Sequence, residues 1–381
     1  MAIKRKPGGL KKAAAAAATE KVVEKKEEEA PAIQTSKDEI TVALDDVEAG
    51  DEVGEVAAMF ELALGKLEVE GDIEEGACLL RGVVHESDRI LRVRFEEGLT
   101  EPLDARFHLT YGAALFRLGL LLDADAQDND NDQEEEGDNA AAYVDAAIDR
   151  FETGLELWPE SWQLHEAIGR AQIEKANLIV RSDPTVPTKT IDASVIAAHK
   201  HLASALAALA DKDLDESVAI ITILIRHSQL REDQEGAKKW TNVARVELNK
   251  LLKSNATHIG ALVALGATYM SAANDLLDAG ENGDNVDMEA VGKLIDEALK
   301  YSTKANVEAE KKGQPNVKLQ LLLGEAYVNK ANLLDEAENE DDANEFYKKA
   351  VACFKIVQEI DASALPEAFD SFLQEWESEM Q

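Results

Sequence analysis

Asn255 to Tyr269, NATHIGALVALGATY, is the stretch from which the rest of the chain can be read. Leu262, Leu265, Gly266 and Tyr269 have the spacing W-x2-L-G-x2-Y of the first helix of a helical repeat, with Leu262 where Trp usually stands. Just upstream, Ala244, Leu248, Leu251 and Ala256 have the spacing A-x3-F-x2-A-x4-P of a second helix, with apolar substitutes. Ala256 and Gly266 lie ten residues apart, the step that a repeat of about 34 residues requires between these positions. The same step recurs earlier. Ala147, Phe151, Gly154 and Pro159 fill the second-helix pattern, and Ile168-Gly169 stand ten residues beyond Pro159.

Two hits in one register point to tetratricopeptide-like helical pairs stacked into a solenoid, each packed only on its neighbours. Looser first-helix matches occur at Tyr111-Gly112 with Leu115, and at Leu323-Gly324 with Tyr327, the latter followed by Ala343, Tyr347 and Ala350 as a second helix. The repeats are irregular: Gly266 to Gly324 spans 58 residues, so inserts must lie between helices. No segment alternates apolar and polar residues over a useful length, so strands are not expected. The expected class is all-α, an irregular tetratricopeptide-like solenoid with two lobes.

Working outward, residues 1–50 read as a disordered tail with a basic opening, Lys4, Arg5, Lys6, Lys11 and Lys12. A basic cluster in an otherwise acidic chain is a nuclear-localisation candidate; an ordinary charged tail is the plain alternative. Residues 51–182 form the first helical lobe. Within it, 123–138 is an acidic insert, nine of whose sixteen residues are Asp or Glu, expected to stay solvated and mobile. Asp183-Pro184-Thr185-Val186-Pro187 opens a helix-free joint over 183–190. The second lobe, 191–381, includes an apolar helix that Asp215 should cap, and ends in a helix from Leu365 to Trp376 that should close the stack with Phe369, Phe372, Leu373 and Trp376.

Composition narrows the function. The chain has 381 residues, and 76 Asp and Glu against 40 Lys and Arg give a net charge of −36. Such a field repels nucleic acid and anionic lipid and attracts basic proteins, although it also simply keeps a long helical surface soluble. The two cysteines, Cys78 and Cys353, indicate no disulfide framework, and no apolar run reaches transmembrane length. With no secretory signal either, a soluble intracellular protein is expected.

Catalytic signatures are missing. There is no H-E-x-x-H, no G-x4-G-K-[ST], no G-x-S-x-G, and no G-x-G-x-x-G after a strand. His199 and His201 are two apart and point to different faces of a helix, which argues against zinc. Asp278, Asn282, Gly283 and Glu289 fit an EF-hand calcium loop at positions one, five, six and twelve, but Gly280 at position three offers no side-chain oxygen. No catalytic, metal or cofactor residue is therefore assigned. Binding remains, along the surface lined by the first helices, where Glu166, Glu174, Asp275 and Glu325 are partner-binding candidates for a basic client.

The layout as a whole, a basic N-terminus with the run Pro7-Gly8-Gly9-Leu10-Lys11-Lys12, an acidic linker, then a solenoid without a catalytic motif, resembles the fungal family called enhancer of translation termination. That resemblance implies a nuclear adaptor without enzymatic activity. It further implies negative regulation of a 2-oxoglutarate, iron-dependent prolyl hydroxylase that acts on a small-subunit ribosomal protein, and hence a link to translation termination and oxygen-dependent transcription. Lys4, Arg5, Lys6, Lys11 and Lys12 would be its nuclear signal, with an import receptor as a further partner and shuttling to the cytoplasm. An acidic chaperone or import escort for basic, ribosomal-type proteins is the alternative. Neither direct nucleic-acid nor membrane binding is expected.

Overall fold

The computed structural model describes residues 34–36, 39–41, 51–128, 140–182, 186–209, 212–231, 233–281 and 285–379. The basic cluster Lys4–Lys12, Asp183–Thr185 of the joint, residues 129–138 of the acidic insert, and Asn282 and Gly283 of the calcium-like pattern lie outside these residues. Thirteen α-helices carry the described fold: α1 (Glu52–Gly65), α2 (Ile73–Glu96), α3 (Ala105–Asp128), α4 (Ala140–Leu157), α5 (Trp162–Ser182), α6 (Thr188–Leu209), α7 (Leu214–Gln229), α8 (Gln234–Ser254), α9 (Ile259–Glu281), α10 (Met288–Lys312), α11 (Val317–Glu336), α12 (Glu340–Asp361) and α13 (Glu367–Glu379). A short antiparallel hairpin precedes them, β1 (Gln34–Ser36) on β2 (Glu39–Thr41), with Thr35 opposite Ile40. The patterning did not signal it, because three-residue strands are too short to show alternation.

The helices pack as successive pairs, α1 on α2, α3 on α4, α5 on α6, α9 on α10 and α11 on α12. First helices also touch the next first helix, α1 with α3, α3 with α5 and α9 with α11. That is the contact pattern of a tetratricopeptide-like solenoid, so the class expected from the spacing stands.

The motif glycines show why the pattern exists. A Cβ on Gly324 of α11 would lie 2.2 Å from the ring of Phe354 on α12, and one on Gly266 of α9 would lie 2.5 Å from Ser302 Oγ on α10. Each glycine leaves room for a side chain of the paired second helix, so the two helices approach closely at that point.

Helix ends follow local chemistry. Asp287 caps α10 through Glu289 and Ala290 N–H, Asn316 caps α11 through Leu319 N–H, and Gly313 closes α10 at φ 64°. Asp215 does not cap α7. The helix starts one residue earlier, at Leu214, and the Asp215 carboxylate instead faces His258 Nε2 at 3.3 Å. Further upstream, α3 runs to Asp128, so the first six residues of the acidic insert are helical, continuing the apolar helix before them.

The described residues divide into two compact units. One contains Thr241–Gln381 and Leu214–Val218; the other contains the described residues up to Asp213 together with Ala219–Trp240. The division thus falls within α7 and α8. In the first unit, α9, α10 and α11 share a core of Leu262, Val291, Ile295, Leu319 and Leu323. Its last helix covers α12: Phe354 stacks on Phe369 at 4.5 Å, and Phe372, Leu373 and Trp376 complete that cluster, closing the apolar face of the final pair. In the second unit, Leu80, Val83, Phe107, Phe151, Leu164 and Ile168 form the centre of the core. No described helix is long and apolar enough to cross a membrane.

Candidate protein-binding groove

In the first unit, the first helices α9 and α11 meet along a polar seam. Asn274 Nδ2 donates to Glu325 Oε1 at 2.8 Å, and Asn329 Nδ2 donates to Asn274 Oδ1 at 3.2 Å. Burial pushes the Glu325 carboxyl above the ordinary Glu value, against the opposing pull of the Asn274 hydrogen bond. Asp275, the next residue of α9 and so about 100° around the helix from Asn274, is exposed, yet desolvation by surrounding protein and then the charge of Asp278 push its carboxyl up as well. The last turn of α9 carries no base, so the negative end of the helix dipole adds to these charges. Among the described residues, neither Glu325 nor Asp275 is in an ion pair with a cation.

The second unit builds its seam differently. Glu174 on α5 accepts from Asn177 Nδ2 at 3.1 Å and from Arg181 at 2.9 Å, and Arg181 also reaches Asp123 on α3 at 2.9 Å. Asn177 Oδ1 lies 2.7 Å from Nδ1 of His227, whose imidazole is driven down to about 4 by burial and then by Arg231. Glu166 is held by Arg170 one turn along α5. Of the four acidic candidates, the structure therefore pairs Glu166 and Glu174 with arginines, sets Glu325 in the α9–α11 seam with an amide as its partner, and leaves Asp275 on the exposed surface of α9.

Features that would suggest catalysis or metal binding resolve into structural ones. His201 Nδ1 lies 3.0 Å from Nδ1 of His165 on α5, whereas His199 packs edge-on to Trp240, so the two histidines have separate neighbours. No group of three or more metal-ligating side chains comes together among the described residues. Asp278 and Gly280 lie inside α9, and Glu289 sits in the first turn of α10 paired with Lys293 at 2.7 Å, so this half of the calcium-like pattern is helical rather than looped. An open recess of about 540 Å³ between α10 and α11 is lined by Glu289, Lys293, Asp296 and Lys330. Its charges are already spent on one another, Lys293 on Glu289 and Lys330 on Asp296, each at 2.7 Å.

A family model described as nuclear pore complex subunit Nro1 matches residues 1–219, more than half of the chain. The chain belongs to the Nro1 family. Its curated relatives include the negative regulator of ofd1 from Schizosaccharomyces pombe, 32% identical over 130 residues, which are 34% of this chain and 31% of that protein. The match to this relative thus spans about a third of its length. A second relative, enhancer of translation termination 1 from Yarrowia lipolytica, is 27% identical over 303 residues, 74% of this chain and 76% of its own. Among solved structures, the nuclear import adaptor Nro1 of S. pombe superposes with a TM-score of 0.50 at 20% identity, over 88% of this chain and 99% of that one, a likeness of fold. The resemblance read from the sequence is thereby borne out, and the family description is that of a nuclear protein, the location expected for this chain.

Sequence reasoning missed the asparagines that shape both seams. A signal was present in the Nro1-family repeats: Asn177, Asn274 and Asn332 each stand eight residues after the motif glycine of their first helix, Gly169, Gly266 and Gly324. Eight residues is close to two helical turns, so these amides recur on the glycine's face of the helix. Each is used, Asn177 on Glu174 and His227, Asn274 on Glu325, and Asn332 as acceptor from Tyr347 OH at 2.7 Å.

Proposed function

We propose that this chain is a non-enzymatic nuclear adaptor that binds a basic segment of a protein partner along the α9–α11 seam. The observation that carries this reading is the Glu325 carboxylate, which the seam withdraws from water with the Asn274 amide, and no cation among the described residues, as its partner. A charge held that way is costly until a Lys or Arg side chain arrives, so the seam favours a cationic ligand. The relatives' names supply the setting. A nuclear import adaptor, a negative regulator of ofd1 and an enhancer of translation termination all point to regulation through binding. The partner in this reading is a 2-oxoglutarate, iron-dependent prolyl hydroxylase linked to translation termination and oxygen response, with Lys4, Arg5, Lys6, Lys11 and Lys12 recruiting an import receptor for shuttling between nucleus and cytoplasm.

The overall charge of −36 supports a second reading, an acidic escort for basic ribosomal-type proteins acting mainly through its field. Salt separates the two. Affinity purification of the tagged chain from its host at low and high ionic strength, read by mass spectrometry, should retain a dioxygenase at high salt if the seam recognises it specifically. Glu325→Gln should then weaken that capture. A broad set of basic proteins lost at high salt, unaffected by Glu325→Gln, would favour the escort and overturn the adaptor reading.

A further inference from the structure

A second surface, on the other compact unit, has the chemistry of a docking site. It lies where α2 ends and where α4 turns into α5. Phe95 is 86% exposed, Leu99 51%, Leu157 46% and Trp158 41%. Large apolar side chains exposed singly are ordinary, but four at one edge of a fold mark a contact surface.

The geometry joins them. Gly98, at φ 70°, ends the helical segment, and Leu99 N–H bonds back to the Arg94 carbonyl. The loop that follows is pinned to α2 by the Arg94 guanidinium on the Glu101 carbonyl. Its far end is pinned to the α4–α5 turn by Trp158 Nε1, which donates to the Leu103 carbonyl at 3.0 Å. Both turns are thereby held in one fixed edge, with the Trp158 ring presented beside the loop. A preorganised aromatic edge loses little entropy on binding, which is how a few aromatic anchors come to dominate an interface.

Charge selects the ligand. Around the apolar residues stand the exposed carboxylates of Glu96, Glu97, Glu101, Asp104, Glu156 and Glu160. Asp104 caps α3 through Phe107 N–H; none of the six is in an ion pair among the described residues. The same segments carry the guanidiniums of Arg92, Arg94 and Arg106, and Arg94 is already committed to the loop. An apolar centre with an acidic rim is complementary to an apolar side chain flanked by cations.

We propose that this edge docks a basic segment of a partner protein in which an aliphatic or aromatic residue is flanked by Lys or Arg. The site is built from residues other than those of the α9–α11 seam, so it does not depend on the seam reading, and it gives an adaptor a second place to hold a client.

The test uses the full chain and a synthetic fluorescein-labelled 14-residue peptide in which Leu and Trp are flanked on each side by Lys and Arg. A second peptide replaces Leu and Trp by Ser, and binding is followed by fluorescence anisotropy. The first peptide should bind the wild type and the Ser peptide at least tenfold more weakly. Phe95→Asp with Leu99→Asp, both exposed and harmless to the core, should lower affinity at least tenfold. Glu96→Lys with Glu97→Lys should do likewise through charge, and Glu359→Gln, on the exposed surface of α12, should change nothing. Equal binding of the two peptides, no binding by the wild type, or equal binding by the Phe95/Leu99 variant would overturn the proposal. Loss of binding on Glu325→Gln alone would also overturn it, by assigning the peptide to the seam. Light scattering covers the other occupant: self-association of the wild type that Phe95→Asp abolishes would show that the edge is an interface between copies.

Discussion

Replacing Asp192 by Ala should destabilise the second compact unit by about 3 kcal/mol, and the structure indicates where that cost arises. Asp192 on α6 is the shared acceptor for three donors. Trp240 Nε1 donates to it at 3.2 Å, Lys239 at 2.7 Å, and the Arg231 guanidinium, only 2% exposed, at 3.3 Å. The Lys239 pair is open to water on the lysine side and contributes at most about 0.5 kcal/mol. The indole N–H is different. Trp240 is 2% exposed, and stranding its donor costs about 1–2 kcal/mol. Arg231 keeps Asp233 at 2.6 Å, so losing one of two carboxylates costs it about 1 kcal/mol rather than the full penalty of an orphaned buried charge. Urea unfolding followed by tryptophan fluorescence and circular dichroism would measure the sum. Asp192→Asn, which keeps an acceptor for the indole, should cost roughly half as much. Combining Asp192→Ala with Trp240→Phe should be less than additive, because the indole donor is then gone from both sides. A loss below about 0.5 kcal/mol for Asp192→Ala would refute the view that this carboxylate ties α6 to α8.

Other expectations follow from the same geometry. Gly324→Ala should cost about 1–3 kcal/mol, since the new methyl meets the fully buried Phe354 ring, whereas Gly65→Ala, with open space around it, should be neutral or slightly stabilising; thermal melts of the two variants decide this. Acid should destabilise the second unit through Asp192 and Asp233. Burial opposes both charges, but bonds from Lys239 and Trp240 to the one, and from Arg231 and Gly236 to the other, hold each below the ordinary Asp value. Their contribution is therefore complete above pH about 4 and lost as pH falls through the lower folded values, a slope that Asp192→Asn should flatten in pH-dependent unfolding. Glu325 has the opposite sign. Its folded value is raised, so the native state holds the proton more tightly and stability falls as pH rises past the ordinary Glu range; Glu325→Gln should remove that slope and leave the chain at least as stable at neutral pH, while weakening a cationic partner. Alanine at Lys4, Arg5, Lys6, Lys11 and Lys12 together should shift a fluorescent fusion from nucleus to cytoplasm, and unchanged nuclear signal would remove that cluster from the import reading.

The polar seams were only partly legible beforehand. All four acidic candidates lie on first helices, α5, α9 and α11, and that placement alone does not separate Glu325 and Asp275 from Glu166 and Glu174. The difference is whether an arginine is within reach. Arg170 is one turn from Glu166 and was visible in principle as a pair four residues apart on one helix. Arg181 reaches Asp123 from another helix, a contact between residues far apart in sequence. The start of α7 differs from the expected one for a related reason: Asp213 and Asp215 both precede an apolar run, and composition alone does not choose between two acids two residues apart as the helix start.

The sequence by itself determined the architecture. The 3.6-residue periodicity, the ten-residue step from second helix to first, and the motif glycines are local signals, and each repeat packs on its neighbours, so local order propagates into global order. Tertiary structure alone decided which charges are spent. Whether a carboxylate is neutralised by Arg181, shared by Arg231, Lys239 and Trp240, or left with a single amide as at Glu325 depends on which helices face each other and how deeply each oxygen is buried. Those are distances through space and desolvation, quantities that the order of residues along a chain does not carry.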